Sequence, residues 1–330
     1  MSEKVAGNDL LERVHEFIGD DLKQAEQIFY EELECGHPYV TDILSQITRF
    51  RGKRLRPILL LLTARACGEL KRDHAVLAAV VEMIHVATLV HDDVLDEAET
   101  RRHVATVNTR WNNETSVLFG DYLFTHAFHL ASSLESTLAC RLIGRATNVV
   151  CIGEMSQIHE RGNLDLTESE YLRIIEGKTA QLCSVCCRLG AQFSDVDSDT
   201  VDALDQYGRN LGIAFQIADD LLDVFGNEQQ IGKSLGTDLT QQKLTLPLIR
   251  LIEQSEPDDS VRIRELLERT DERIWHELEP YFRQSDAVAY AQQRANQFAD
   301  EARQYLHRLP DSPARQILEE MADFASQRSF

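Results

Sequence analysis

Two groups of aspartates, Asp92-Asp93-Asp96 and Asp219-Asp220-Asp223, share the form DDxxD. On a helix, residues four apart lie on one face, so Asp92 projects with Asp96 and Asp219 with Asp223. Like charges at that spacing repel, and carboxylates set in apolar helices need cations. Oxygen ligands without nearby thiols favour a hard metal, and Mg2+ commonly joins one or two carboxylates to substrate phosphates. One DDxxD in an acidic chain is weak evidence, because solvated faces account for most of them. Two, each embedded in an apolar helix, are a strong signal. The polar stripes run further: His85 lies seven residues before Asp92 on the same side, and Gln216 precedes Asp219 and Asp223 at helical spacing. A lone histidine there is more often a satisfied core residue; alignment with the carboxylates favours a role in the site.

Cations are concentrated against this acidity. Gly52-Lys53-Arg54-Leu55-Arg56-Pro57 places three within four residues, ahead of a helix. Arg101 and Arg102 follow the first aspartate cluster, Lys178 sits between Gly177 and Thr179, and Lys233 and Lys243 flank the loop after the second cluster. Any one of these alone reads as a solvated surface residue. Together they read as anion sites, and arginine suits the bidentate oxygen geometry of phosphates. One phosphate group fits directly on Lys53, Arg56 and Arg102, and another through metal ions on the aspartates. That is a layout for two polyanionic substrates.

The elements that must position these groups are helical. None of the seven prolines lies between Pro57 and Pro247, and that stretch carries apolar residues at helical spacing. Over 204–225, Leu204, Tyr207, Leu211, Ala214, Ala218, Leu221 and Phe225 recur every three or four positions. The block 74–95 is apolar on nearly all sides, as expected of a helix central to a bundle. Turn signals fall near Gly68-Glu69, Gly162-Asn163, 195–199 and 226–236. No run of alternating strands, internal repeat or linker-like shift in composition stands out. From about Glu253 onward the charged C-terminal third reads as shorter amphipathic helices packed on the main bundle. The expectation is one all-α domain over 1–330.

Composition narrows the function. The chain has 330 residues, 43% of them hydrophobic, and 34 Lys plus Arg against 55 Asp plus Glu give a net charge of −21. That field repels nucleic acid and anionic lipid heads. The longest pure aliphatic run, Ile58 to Leu62, is far short of a membrane span, so no transmembrane segment is expected. Charges from Glu3 to Arg13 break up any signal-peptide core. The seven cysteines lack framework spacing, which suits a reducing cytosol and a cytoplasmic location. Cys183 and Cys186 form a CxxC, but with no second pair they read as buried helix cysteines rather than a metal or redox site.

In order along 50–250, the segments GKRLRP, LVHDDVLDEAETRR, GDYLF, GKTAQL, FQIADDLLD and GKSLGTDLTQQKLTLPL resemble the trans-type isoprenyl (polyprenyl) diphosphate synthases, long-chain type. The resemblance implies an all-α bundle around a central apolar cavity, the class I isoprenoid synthase fold, and a homodimer. It also implies that Asp92 and Asp96 bind Mg2+ holding an allylic diphosphate, with Asp219 completing the metal site and three ions present once substrate is bound. Arg101, Lys178, Thr179, Gln216 and Lys233 would contact that diphosphate, with Lys243 near it. Lys53, Arg56, His85 and Arg102 would bind isopentenyl diphosphate, while Asp93, Asp220 and Asp223 are supporting or partial ligands. Three positions depart from the family pattern. His103 replaces a glycine after the two arginines, Thr237 stands where many members carry an acid, and Gln242 replaces a glycine before Lys243.

The implied chemistry is 1'-4 prenyl transfer. Loss of diphosphate from the allylic substrate creates an allyl cation, which the isopentenyl double bond attacks before a proton leaves. Product length is partly legible. Thr88, Ile84 and Val81 lie below Asp92 at helical intervals, and Ala87 and Thr88 are small where short-chain members place aromatic residues. The expectation is a product beyond geranylgeranyl length, with Phe124 or Phe128 as a deeper floor or else ordinary core. Rivals are a shorter-chain synthase, the non-catalytic subunit of a heteromeric synthase, an HD-type phosphohydrolase built on His91-Asp92, and a class I terpene cyclase. The last two leave the second cluster or the Lys53–Arg56 cations unexplained.

Overall fold

Leu59, Leu60, Leu61 and Leu62 all lack solvent-accessible surface, so the helix that carries them is enclosed on every side. Full burial of each such side chain contributes about 1.5–3 kcal/mol. The computed structural model describes residues 2–47, 52–102, 104–225, 236–269 and 274–326. Its first half contains α1 (Ser2–Leu33), α2 (Pro38–Ile47), α3 (Leu55–Cys67) and α4 (Arg72–Leu95). Then come α5 (Val107–Arg110), α6 (Asn113–Ser132) and α7 (Leu138–His159). Helix α8 (Glu168–Ile175) runs through a π-helical turn (Glu176–Ala180) into α9 (Gln181–Gln192), and α10 (Ser198–Phe225) follows. The remainder comprises α11 (Thr237–Thr240), α12 (Leu246–Gln254), α13 (Pro257–Leu267), α14 (Ile274–Gln284), α15 (Ala287–Tyr305) and α16 (Pro313–Ser326). The fold class is all-α, as expected.

Helix α4 is the central element, packed on α1, α3 and α6. By length and composition it could cross a membrane, but 67% of its most apolar window is buried among those neighbours. The apolar repeat over 204–225 becomes α10, whose Leu204, Tyr207, Leu211, Ala214, Ala218 and Leu221 are all buried. Two hydrophobic cores result. One gathers α1, α3, α4, α6, α9 and α16; the other gathers α8, α12, α13, α14 and part of α15. Helix α10 contributes to both, and Phe298 packs against both.

The C-terminal third is made of helices shorter than the long ones of the main bundle, as expected. Helix α15 is 19 residues long and lies along α10 on a stripe of buried alanines, Ala287, Ala291, Ala295, Ala299 and Ala302. Side chains this small let two helix axes approach closely. There is also a two-stranded hairpin, β1 (Thr100–Arg101) paired antiparallel with β2 (Val104–Ala105). At two residues per strand it lies below the length at which alternation shows in a sequence. Its effect is to fold the two arginines after the first aspartate cluster back toward the bundle.

Candidate active site

The first aspartate cluster sits where α4 stops. Asp92 and Asp93 are in the last turn, but Asp96 is the C-cap rather than a helical residue, still bonded N–H to the Asp92 carbonyl at 2.8 Å. Glu97 follows with φ +49, a left-handed backbone that turns the chain. Arg54, Arg102 and Gln242 also have positive φ. These four, the non-glycine residues of this kind among those described, lie on segments that border the site, where strained backbone tends to accumulate. Gln242, at φ +54, shows why glycine suits that position in the family pattern.

Each aspartate has a distinct environment. Asp93 is buried and accepts from Arg101 through Nε and Nη2, both at 2.8 Å. Arg101, expected on a diphosphate, is here committed to that carboxylate. Asp96 accepts from Arg161 at 3.0 Å and from Lys243 at 3.3 Å. Asp92 is half-buried; burial, then the adjacent Asp96 charge, raises its pKa against the pull of Lys178, Arg101 and Lys243. A carboxylate in that condition favours an added cation.

Lys178 reaches the site through the π-helical turn, a distortion that re-aims one side chain within a helix. The turn crosses α7 so closely that a Cβ on Gly153 would lie 2.5 Å from the Lys178 backbone nitrogen. Lys178 Nζ then donates to Glu154 at 2.9 Å and Gln157 at 2.8 Å. Burial alone would lower the lysine pKa, but Asp92 and Glu154 carry it above the ordinary value. Burial, then Asp92, raises Glu154. Glu154, Gln157 and Arg161 escaped the sequence reading. Glu154 and Gln157 share a face of α7 and Arg161 follows its C-cap, a spacing that carries no motif by itself.

The second cluster is locked from behind. Asp220 is buried and accepts from Tyr171 at 2.6 Å and Gln216 at 2.7 Å, and Gln216 in turn accepts from the Thr179 hydroxyl at 2.7 Å. Burial and the Asp238 charge push the Asp220 carboxyl well above its usual range. Asp223 accepts the Asp238 backbone N–H at 3.0 Å, and Asp219 is half-buried on the same helix. A cavity between α7, α8, α10 and α11 is lined by Gln157, Lys178, Gln216, Asp220, Asp238 and Lys243. Two of its lining cations also face the first cluster: Lys243 bonds Asp96, and Lys178 is an electrostatic neighbour of Asp92. Lys233, with His103 and the turn at 226–235, lies outside the described residues.

Among the described residues no three acidic, histidine or cysteine side chains are gathered closely enough to hold an ion unaided. The carboxylate oxygens of Asp92, Asp96 and Asp219 are donors of the type a hard cation takes when its remaining ligands come from phosphate.

Two turns earlier on α4, about 10 Å along the axis, lies a cationic corner. Arg56 Nη1 is 3.0 Å from His85 Nε2. Arginine can only donate, so Nε2 accepts and Nδ1 carries the proton. That Nδ1 is buried and has no partner in the protein. Burial, then Arg56, holds the imidazole pKa well below 6.5. A Cβ on Gly52 would lie 2.3 Å from Arg102, so glycine is what lets this guanidinium rest on the loop. Lys53 turns toward α16, its Nζ 5.0 Å from the Phe324 ring centre. Arg54 is drawn away into a bidentate pair with Glu26 at 2.6 and 2.7 Å.

The rival sites dissolve. His91 lies 3.1 Å from the Val117 carbonyl and stacks on Phe124 at 5.9 Å, packed against α6 rather than set as a metal ligand. Cys183, Cys186 and Cys187 are buried on α9 and unpaired, their thiols pushed up in pKa by burial.

A helical scaffold that joins the first aspartate cluster, through Lys178 and Lys243, to a cavity lined by Asp220 of the second, with a separate cationic corner earlier on α4, is a layout suited to anionic ligands. Residues 37–279 match the family model described as Polyprenyl synthetase. The octaprenyl diphosphate synthase of Escherichia coli (strain K12) is 36% identical over 321 residues, covering 96% of this chain and 99% of that one. The crystal structure of a decaprenyl diphosphate synthase from Rhodobacter capsulatus matches with a TM-score of 0.91 at 36% identity, covering 96% of this chain and 98% of that one. A polyprenyl synthase from Caulobacter crescentus CB15, complexed with calcium and isoprenyl diphosphate, matches with a TM-score of 0.91 at 34% identity over the same shares. The chain belongs to the polyprenyl synthetase family. It is a prenyltransferase, a trans-prenyl diphosphate synthase.

Proposed function

We propose that this enzyme condenses isopentenyl diphosphate with an allylic diphosphate, in the presence of Mg2+, to build an all-trans chain longer than geranylgeranyl. The observation that carries the reading is the pair of anion sites on α4: Asp92 and Asp96 with Lys178 and Lys243 at one end, and His85 with Arg56 and Arg102 two turns before. Asp92, Asp96 and Asp219 would hold Mg2+, which supplies charge neutralisation for the departing diphosphate. Lys178, Thr179, Gln216, Lys233 and Lys243, with Arg101 once released from Asp93, would hold the allylic diphosphate. Lys53, Arg56, His85 and Arg102 would hold isopentenyl diphosphate, the His85 Nδ1–H facing a phosphate oxygen.

The bond between C1 and the diphosphate oxygen breaks with its electron pair leaving on oxygen. The isopentenyl double bond attacks C1, a proton leaves C2, and the new double bond forms. Released diphosphate is the proton acceptor, since no side chain among the described residues is set apart as a base. The apolar wall of α4 and α6 excludes water that would quench the cation. The small size of Ala87 and Thr88, where an aromatic ring would block the path, supports a tunnel running past Ile84 and Val81.

The chain acts as one domain and as a homodimer. Exposed apolar side chains support pairing: Leu118 on α6, at 69% exposure, and Ile152 and Met155 on α7, at 52% and 61%. Seven unpaired cysteines suit the cytoplasm.

The test is product analysis: purified protein, Mg2+, isopentenyl diphosphate and farnesyl diphosphate, with the dephosphorylated products sized. A ladder ending in hexaprenyl to decaprenyl chains is expected. Arrest at geranylgeranyl would overturn the chain length and keep the chemistry. No condensation by the chain alone would assign it as the subunit of a heteromeric synthase.

A further inference from the structure

The cationic corner beside His85 also contains two carboxylates that the proposed reaction does not use, Glu26 and Glu82. Glu82 lies on α4 one turn before His85, and its electrostatic neighbours are Arg56, Arg54 and Arg102. Its Oε2 is closed off from solvent and has no hydrogen-bond partner within the protein, as is true of Arg56 Nε and His85 Nδ1. Glu26, on α1, grips Arg54 from the other side through both guanidinium nitrogens.

An acid buried in an anion-binding corner has the wrong sign for attracting diphosphate. It weakens the local positive field, and burial pushes its own carboxyl up in pKa despite three arginines. An apolar residue would avoid both costs. What the acid supplies is order. Guanidinium groups close together repel, and without a counter-charge they would splay toward solvent. Burial and Arg101 already lower the Arg102 pKa, and Glu82 opposes that fall.

We propose that Glu82 is a positioning residue of the isopentenyl diphosphate corner: it holds Arg56 and Arg102 beside His85, with Arg54 at the rim on Glu26, so that the incoming diphosphate meets an array already formed. The inference rests on the reading that this corner takes the second diphosphate. Glu82 touches no substrate; it acts through the arginines, by preorganisation.

The test is Glu82→Gln, which keeps the shape and removes the charge. Varying each substrate separately, KM for isopentenyl diphosphate is expected to rise about tenfold, while kcat and the allylic KM stay within about twofold. Glu82→Asp should recover part of the loss. An unchanged KM for isopentenyl diphosphate would overturn the proposal, as would a parallel loss in both KM values, kcat and melting temperature, which marks general loosening. If Glu82→Gln does not fold, Glu26→Gln releases Arg54 from the opposite side. A smaller rise in the same KM supports the proposal, and no rise overturns it. Calorimetry with inorganic diphosphate in EDTA needs no turnover and bypasses the aspartates. Weaker binding by Glu82→Gln than by wild type supports the positioning role and equal binding overturns it, even for a chain that fails to condense substrates.

Discussion

Lys243 places its Nζ 3.3 Å from Oδ1 of Asp96, across 147 positions of chain. Arg161 reaches the same oxygen at 3.0 Å. The last aspartate of the first cluster is therefore held by cations from two other regions of the fold, which keep it aimed into the site and compete with a metal for it. Replacing Asp96 with Asn should lower kcat about 100-fold, the scale of one electrostatic partner in the transition state. The Mg2+ concentration for half-maximal rate should rise as well. Steady-state kinetics across a Mg2+ series decides this, and a wild-type rate with wild-type Mg2+ dependence would remove Asp96 from the metal site.

Gly153 matters because the π-helical turn lies against it. A methyl group there would press on the Lys178 backbone nitrogen, and the nearest atoms are main chain with little room to give. Gly153→Ala should cost about 1–3 kcal/mol of stability. It should also displace Lys178 from Glu154 and Gln157, lowering activity further than the loss of fold explains. Denaturant melts paired with kinetics on the folded fraction separate the two effects. Unaltered kinetics in the folded fraction would show that the turn tolerates the shift.

His85 sets a pH dependence of stability. Burial, then Arg56, Arg102 and Arg101, holds its folded pKa well below 6.5, so the unfolded chain takes up a proton that the folded chain refuses. Stability from this residue is complete above the unfolded value and is lost as pH falls below it, by up to about 1.4 kcal/mol per pH unit. Glutamine at this position can accept from Arg56 without titrating. Between about pH 7.5 and about pH 5.5, His85→Gln should lose less melting temperature than wild type. Equal losses would mean that His85 is protonated in the fold.

Thr88 lies one turn before Asp92, its hydroxyl turned back onto the His85 carbonyl at 2.8 Å. Phenylalanine there would project into the path of the growing chain. Thr88→Phe should shorten the product distribution to about farnesyl or geranylgeranyl length while condensation continues, as read by sizing dephosphorylated products. An unchanged ladder would move the tunnel wall elsewhere on α4 or α6.

Much of this site was legible as spacing. Asp92, Asp96, Asp219, His85 and Gln216 occupy helical intervals, and a helix converts interval into direction whatever surrounds it. The all-α class followed from the same periodicity and from the long stretch without proline. Apolar residues around each DDxxD showed that the carboxylates stand against a core. The apolar block 74–95 ends where α4 ends, but spacing treated Asp96 as helical where it is the C-cap, because a helix end depends on where the next segment packs.

What only the tertiary structure decided is the pairing of charges. Arg101 on Asp93, Lys178 on Glu154, Lys243 on Asp96, and Arg54 on Glu26 rather than on substrate each join residues whose separation along the chain carries no directional information. Chain order specifies which face of its own helix a side chain occupies. Which opposite charge it meets depends on how the helices cross, and that is set by the interlocking of buried side chains across the whole bundle.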